Sequence, residues 1–324
     1  MPDSPKTLLE AVQVFADLDY CHAYMVRLKW PDGRITCPKC GSDRVGEITS
    51  RRMLQCREPK CRKQFSAKVG TIFEDSPLPL SQWFVAVWYA ANFKMGISSH
   101  ELGRSLGITQ KSAWFMLHRI RLAMKTGTFR KLNGVVESDE SFIGGAAANM
   151  HRAARECRIK GRGSVGKSIV HGLLERNSSK KAQDSQVIAS VVPDTEAATL
   201  MLELARNVQP AAFVCTDASA SYASMSDRFI HRWVDHAIRY AIGKVHVNGI
   251  ENFWALLKRM LHGTYVHCAP FHLLRYLDEE TWRFNQRRLR DGSRFDLVMQ
   301  SVLGKRITYR ALCGIDGAGF MGLT

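Results

Sequence analysis

The tightest constraint on how this chain can fold is a set of four cysteines. They stand in "CPKCGS" and "CREPKC" as a C-x2-C pair, a gap of 15 residues and a C-x4-C pair. Tetrahedral zinc needs four soft donors, and two cysteines on each of two tight turns supply them; Pro38 and Gly41 are residues that such a turn uses. A site closed by Cys37, Cys40, Cys56 and Cys61 leaves no position for water, so the metal is expected to fold the segment and not to catalyse. The other cysteines (21, 157, 215, 268 and 313) are scattered, as free thiols in a reducing compartment would be.

Beyond that segment, 324 residues are enough for two or three domains, each with its own core. Lys and Arg outnumber Asp and Glu by 46 to 30, a net charge of +16, and that excess points to a polyanionic partner. Nucleic acid is favoured over an anionic membrane, because the basic residues interleave with aromatics and Gly instead of forming one amphipathic anchor. There is no run of about 18 apolar residues, and "MPDSPKTLLE" lacks the charged and apolar regions of a leader. Neither a spanning helix nor a signal peptide is expected, and the chain is expected to stay in the cytoplasm.

Composition divides the chain into four parts. Residues 1–72 hold a helical stretch, "TLLEAVQVFADL", and the zinc ribbon; residues 73–127 are helical by period; residues 128–290 alternate strands with helices; residues 291–324 are a tail with little signal. In the second part, "SSHELGRSLGITQKSAWFMLHRIRLAM" has the form of a helix-turn-helix. Ser98 or Ser99 caps a first helix carrying Leu102 and Leu106, Gly107 breaks it, and Thr109 caps a second helix carrying Ala113, Trp114, Leu117 and Ile120. Gln110, Lys111 and Ser112 then lie at the N-terminal end of the second helix, where a recognition helix meets DNA; a plain helical hairpin is the alternative.

The third part has three strands ("GVVESDESFIGG", "SIVHGLLER", "SQVIASVVP"), a helix ("DTEAATLMLELARNV") and a fourth strand ("AAFVCTD"), a mixed α/β domain. Alternation puts Glu137 and Asp139 on one face of the first strand and Glu140 on the other, while Asp217 ends the fourth strand. Either aspartate alone suits a turn or cap. In "VHVNGIENFWALLKRML", Ile250, Phe253, Trp254, Leu257 and Leu261 form a helical stripe with Glu251 just beside it, so the bland reading of Glu251 is a solvated face. Together, two strand acids and a helix acid supply the hard oxygen ligands that phosphoryl transfer with two divalent metals requires.

The order of the cysteine ribbon, "VGTIFEDSPLPLSQWF", the helix-turn-helix, "VESDESFIGG", "CTDASASY" and "HVNGIENFWALLKR" resembles the DDE transposases of bacterial insertion sequences, in their zinc-ribbon, ISXO-like group. The resemblance extends to about Arg288. It implies a ribonuclease H-like catalytic domain in which Asp139, Asp217 and Glu251 are the catalytic acids and hold two Mg²⁺ ions, with Mn²⁺ as an alternative. It also implies cleavage at the element's terminal inverted repeats, strand transfer into target DNA, a homo-oligomer on DNA and a nucleoid-associated protein of the bacterial cytoplasm.

The segment "HRAARECRIKGRGSVGKS" has six Lys or Arg against one Glu. It is either a solvated loop or a basic arm that grips phosphates, with Arg158, Lys160 and Arg162 as the contacts. Lys258 and Arg259 are candidate phosphate contacts on the Glu251 helix, whereas His236 and His246 are expected to be ordinary packed or surface side chains. Two rivals remain: a structure-specific nuclease of the same fold, and a zinc-ribbon DNA-binding regulator with an inert α/β domain.

Overall fold

The computed structural model describes residues 5–125, 130–144, 167–176, 185–217, 229–234, 245–266 and 268–315. The expected basic arm, with Arg158, Lys160 and Arg162, lies outside the described residues, as does His236. The chain divides into two compact units, one of Met1–Met124 with Leu289–Thr324 and one of Lys125–Arg288.

The first unit opens with α1 (Leu8–Ala16) and α2 (Leu18–Lys29). The single helix expected here is divided at Asp17, whose extended backbone ends α1 while its carboxylate accepts the N–H groups of Asp19 and Tyr20 at 2.8 and 3.1 Å. Asp17 is therefore an N-cap, a role that an acid inside an apolar period conceals. A three-stranded antiparallel sheet follows: β1 (Val45–Ile48), β2 (Met53–Cys56) and β3 (Gln64–Phe65). Next come α3 (Leu80–Asn92), α4 (Ser99–Leu106) and α5 (Gln110–Met124). Ser98 and Glu101 form a reciprocal capping box at the start of α4, and a short turn through Gly107 leads into α5.

The second unit is built on a five-stranded sheet. Its elements are β4 (Val135–Ile143), β5 (Ser168–Arg176), β6 (Gln186–Val192), α6 (Ala197–Asn207), β7 (Phe213–Asp217), β8 (Ile230–Val234), α7 (Asn248–Met260) and α8 (Leu273–Asn285). The strand order is β6-β5-β4-β7-β8, antiparallel among β4, β5 and β6 and parallel from β4 through β7 to β8. The fifth strand, "IHRWV", was not expected. It carries an Arg and a His, and its Ile230 and Trp233 stay 50% and 58% exposed, so its alternation is too weak to mark it.

Helices cover both faces of this sheet. Leu200 and Leu204 of α6 pack with Val136, Leu173 and Val214. Gly172, next to Leu173 on β5, points the opposite way and faces Trp254 of α7. The apolar stripe of α7 is buried as its period predicts, with Ile250, Phe253 and Leu257 at 0% exposure and Trp254 at 4%. At the β6 edge, Asn285 at the end of α8 bonds both the N–H and the C=O of Val187, at 2.8 and 2.9 Å.

After Arg288 the chain returns to the first unit, contrary to the expected tail over 291–324. Its described residues form α9 (Asp291–Gln300) and α10 (Tyr309–Leu312). Phe295 stacks on Phe15 with ring centroids 4.9 Å apart and also meets Phe84 and Trp88, while Tyr24 donates to Asp296 at 2.9 Å. The segment "DGSRFDLVMQ" has one aromatic anchor, so its role depends on the N-terminal aromatics it meets. Among the described residues no helix is long and apolar enough to cross a membrane.

Candidate functional site

Two ligand sets occupy the two units. In the ribbon, the donor atoms of Cys37, Cys40, Cys56 and Cys61 all lie within 4.8 Å of one another, with Cys37–Cys61 at 3.7 Å and Cys40–Cys56 at 3.6 Å. Four thiolates around zinc, each bonded at about 2.3 Å, stand about 3.8 Å apart, so the spacing fits a tetrahedral ion. Both turns close alike, Gly41 N–H bonding Cys37 C=O at 2.9 Å and Arg62 N–H bonding Glu58 C=O at 3.1 Å. The residue after each pair is left-handed, with φ of 74° at Gly41 and 49° at Arg62. The longer C-x4-C spacing arises because the second turn begins at Glu58, beyond Cys56 at the end of β2.

The acids Asp139, Asp217 and Glu251 come from β4, β7 and α7. Glu137 pairs with Cys215 in the parallel β4–β7 register, so Asp139 and Asp217, each two residues further on, share one level and one face. That face is the one α7 covers. Trp254, one turn beyond Glu251, donates its indole N–H to Asp139 Oδ2 at 2.9 Å. The Asp139 carboxyl is pushed up to about 6, first by burial and further by the negative charges of Asp217 and Glu251, while the bonds from Trp254 and the Glu140 N–H pull it down. The Asp139 carboxylate is thus in electrostatic reach of the other two. The three are not drawn together as the thiols are; among the described residues only the four cysteines form so close a metal-binding group. An all-oxygen set of carboxylates that raise one another's charge cost suits a hard divalent cation.

A buried network ties β4 and β5 to the start of α7. Glu137, 1% exposed, accepts the N–H of Ile250 at 2.8 Å and pairs with Arg176 of β5. Arg176 in turn donates to His246 Nδ1 at 2.8 Å, so His246 is tied to the sheet and is not an isolated surface histidine. The available signal was a glutamate inside the apolar run "GVVE", on the Asp139 side of the strand. On the opposite face His171, 1% exposed, meets the Ser138 hydroxyl at 2.9 Å, and burial pushes its imidazole down to about 4.

The residues expected to contact DNA are placed as follows. Gln110, Lys111 and Ser112 are exposed at the start of α5, each with an intrachain partner. Gln110 donates to Ser99 at 2.8 Å, Lys111 lies 4.7 Å from the Tyr309 ring centroid, and the Ser112 hydroxyl is 2.9 Å from that of Thr109. Lys258 and Arg259 are exposed in the last turn of α7.

Comparison with known proteins follows the same division. Residues 18–64 match the transposase zinc-ribbon domain, and residues 131–285 match the ISXO2-like transposase domain. The chain is 27% identical over 252 residues to an uncharacterized protein in transposable element ISH50 of Halobacterium salinarum, covering 73% of this chain and 81% of the relative. It is 32% identical over 123 residues to an uncharacterized transposase-like protein of Haemophilus influenzae, covering 38% of this chain and 98% of the relative. The chain therefore belongs to the ISXO2-like transposase family.

Proposed function

We propose that the protein cuts DNA at the ends of its insertion sequence and joins the freed 3′-hydroxyls to target DNA. Asp139, Asp217 and Glu251 form the active site on a ribonuclease H-like sheet and would hold two Mg²⁺ ions. The observation that supports the reading is that β4 and β7 carry Asp139 and Asp217 on one face of the sheet, under the helix that bears Glu251, in the segment matching the transposase domain. A central β4 with an antiparallel pair on one side and a parallel pair on the other supports the fold assignment.

Strand transfer by this route forms one phosphorus–oxygen bond to the 3′-hydroxyl as another breaks in the target strand, with no covalent protein–DNA link. Bound divalent ions supply Lewis acidity to the attacking and leaving oxygens. Trp254 orients Asp139 through its indole N–H. Lys258 and Arg259 offer positive charge to phosphates on the same helix as Glu251, and the ribbon with α4 and α5 recognises the element ends through Gln110, Lys111 and Ser112.

The test is an oligonucleotide assay with an element end, a target duplex and Mg²⁺. Wild type yields joined products, and Glu251→Gln lowers cleavage and joining by about a thousandfold or more with end binding and zinc content kept. Cleavage without joining would assign the protein to the structure-specific nucleases. DNA binding without metal-dependent cleavage would make it a regulator.

A further inference from the structure

α7, which carries Glu251, starts without a cap of its own: Val247 before its first turn makes no side-chain bond to the helix. The sheet supplies the missing acceptor. Glu137 takes the Ile250 N–H on Oε2 at 2.8 Å, and its Oε1 is held by Arg176, which also donates to the His246 imidazole and backbone carbonyl just before the helix. Two glycines permit the approach. A methyl group on Gly249 would stand 2.9 and 3.0 Å from the two Glu137 carboxylate oxygens, and one on Gly172 would stand 2.6 Å from the Trp254 ring. The strand bearing Asp139 and the helix bearing Glu251 are thereby joined at two points, Glu137 to Ile250 and Asp139 to Trp254.

We infer that Glu137 is a positioning residue for the metal site: clamped by Arg176, its carboxylate caps α7 across the sheet and sets the distance between Glu251 and Asp139. The inference rests on the metal-binding reading of the three acids. Glu137 touches neither substrate nor metal; it acts through the helix it holds. Its buried carboxylate, an apparent excess of acid beside the triad, has this use because a helix N-terminus offers N–H groups that need an acceptor and favours a negative charge.

The experiment measures Mn²⁺ binding to the full-length, zinc-loaded chain by electron paramagnetic resonance, without DNA. Asp139→Asn is the site control. Glu137→Gln removes the charge that Arg176 pairs with, and Gly249→Ala drives a methyl group into the Glu137–Ile250 contact while keeping both partners. Alanine's preference for helix over glycine offsets part of the strain that this methyl group introduces, and thermal melts confirm that the variant is folded before metal is added. Both variants are expected to bind Mn²⁺ about tenfold more weakly, the usual cost of disturbing a group that orients metal ligands. In the cleavage assay both are expected to need more Mg²⁺ for half-maximal rate, with the rate at saturating metal nearly restored. If Asp139→Asn weakens Mn²⁺ binding while Gly249→Ala and any folded Glu137→Gln bind it as wild type does, the positioning role is overturned and the metal site stands. If Asp139→Asn itself leaves Mn²⁺ binding unchanged, the metal-site reading fails and the inference with it. Should Glu137→Gln not fold, Gly249→Ala alone decides.

Discussion

In the ribbon, two short turns bring four sulfur donors into opposed pairs at 3.6 and 3.7 Å, and each turn is closed by its own backbone bond. In the second unit, three carboxylates arrive from β4, β7 and α7, elements far apart in the chain, and do not converge as closely as the thiols do. The contrast matches the roles proposed for the two sites. A closed thiolate tetrahedron stabilises a fold too small to bury much of a core, and local chain geometry is enough to build it. The site proposed for phosphoryl transfer would have to admit DNA, and sheet register and helix docking set where its acids stand. Errors in a turn therefore threaten the first site, and errors in tertiary packing threaten the second.

That contrast is tested most strongly by removing one ligand from each site. Asp217→Asn should lower cleavage by three or more orders of magnitude while zinc content is unchanged, whereas Glu140→Gln, on the opposite strand face, should stay within about tenfold of wild type. A near-normal rate for Asp217→Asn would remove β7 from the active site. Cys37→Ser should release zinc and unfold the ribbon, seen as new proteolytic cuts between residues 30 and 65 and loss of metal by atomic absorption. Retained zinc at full occupancy would mean that the four thiols are not the ligand set.

The third test asks whether anything in the first unit depends on distant sequence as the second unit does. Phe295→Ala removes a ring that is 1% exposed and stacked on Phe15, and it should cost about 3–5 kcal/mol in urea unfolding of that unit. A cost under about 1 kcal/mol would show that α9 is an appendage. The smallest effect concerns the face of the sheet that α6 covers. His171 is held near 4 by burial, below its ordinary 6.5, so the unfolded chain takes up a proton that the folded one refuses. Its contribution to stability is present above about 6.5 and is lost as pH falls toward 4, by on the order of 2–3 kcal/mol. Thermal melts between pH 7 and 4 should accordingly show a shallower decline for His171→Gln than for wild type. Parallel curves would mean that His171 titrates alike in both states.

Much of the site was legible because its signals are local. The cysteine spacing, a serine cap at 98 or 99 and the α7 stripe of Ile250, Phe253, Trp254 and Leu257 each depend on neighbours within a few residues, and the structure places the cap at Ser98 and buries the stripe. The break at Asp17 was missed because a cap inside an apolar period looks like a helix interior. β8 was missed because an edge strand need not alternate. Glu137 was counted among the strand acids, yet nothing near it in sequence names Ile250 or Arg176 as its partners.

From the sequence alone came the identities and faces of the groups: which residues offer sulfur, which offer oxygen, and that Glu137 and Asp139 point the same way along one strand while Glu251 flanks an apolar stripe. Those properties follow from side-chain chemistry and from the periods of strand and helix, which any short stretch carries by itself. Tertiary structure decided that β4 and β7 lie side by side in parallel, that Trp254 hydrogen-bonds Asp139, that Glu137 caps α7, and that residues 289–315 complete the unit where the chain began. Each of these pairs elements remote in sequence, and their pairing depends on how a whole sheet and a whole core satisfy their hydrogen bonds and bury their apolar surface, a condition no single segment contains.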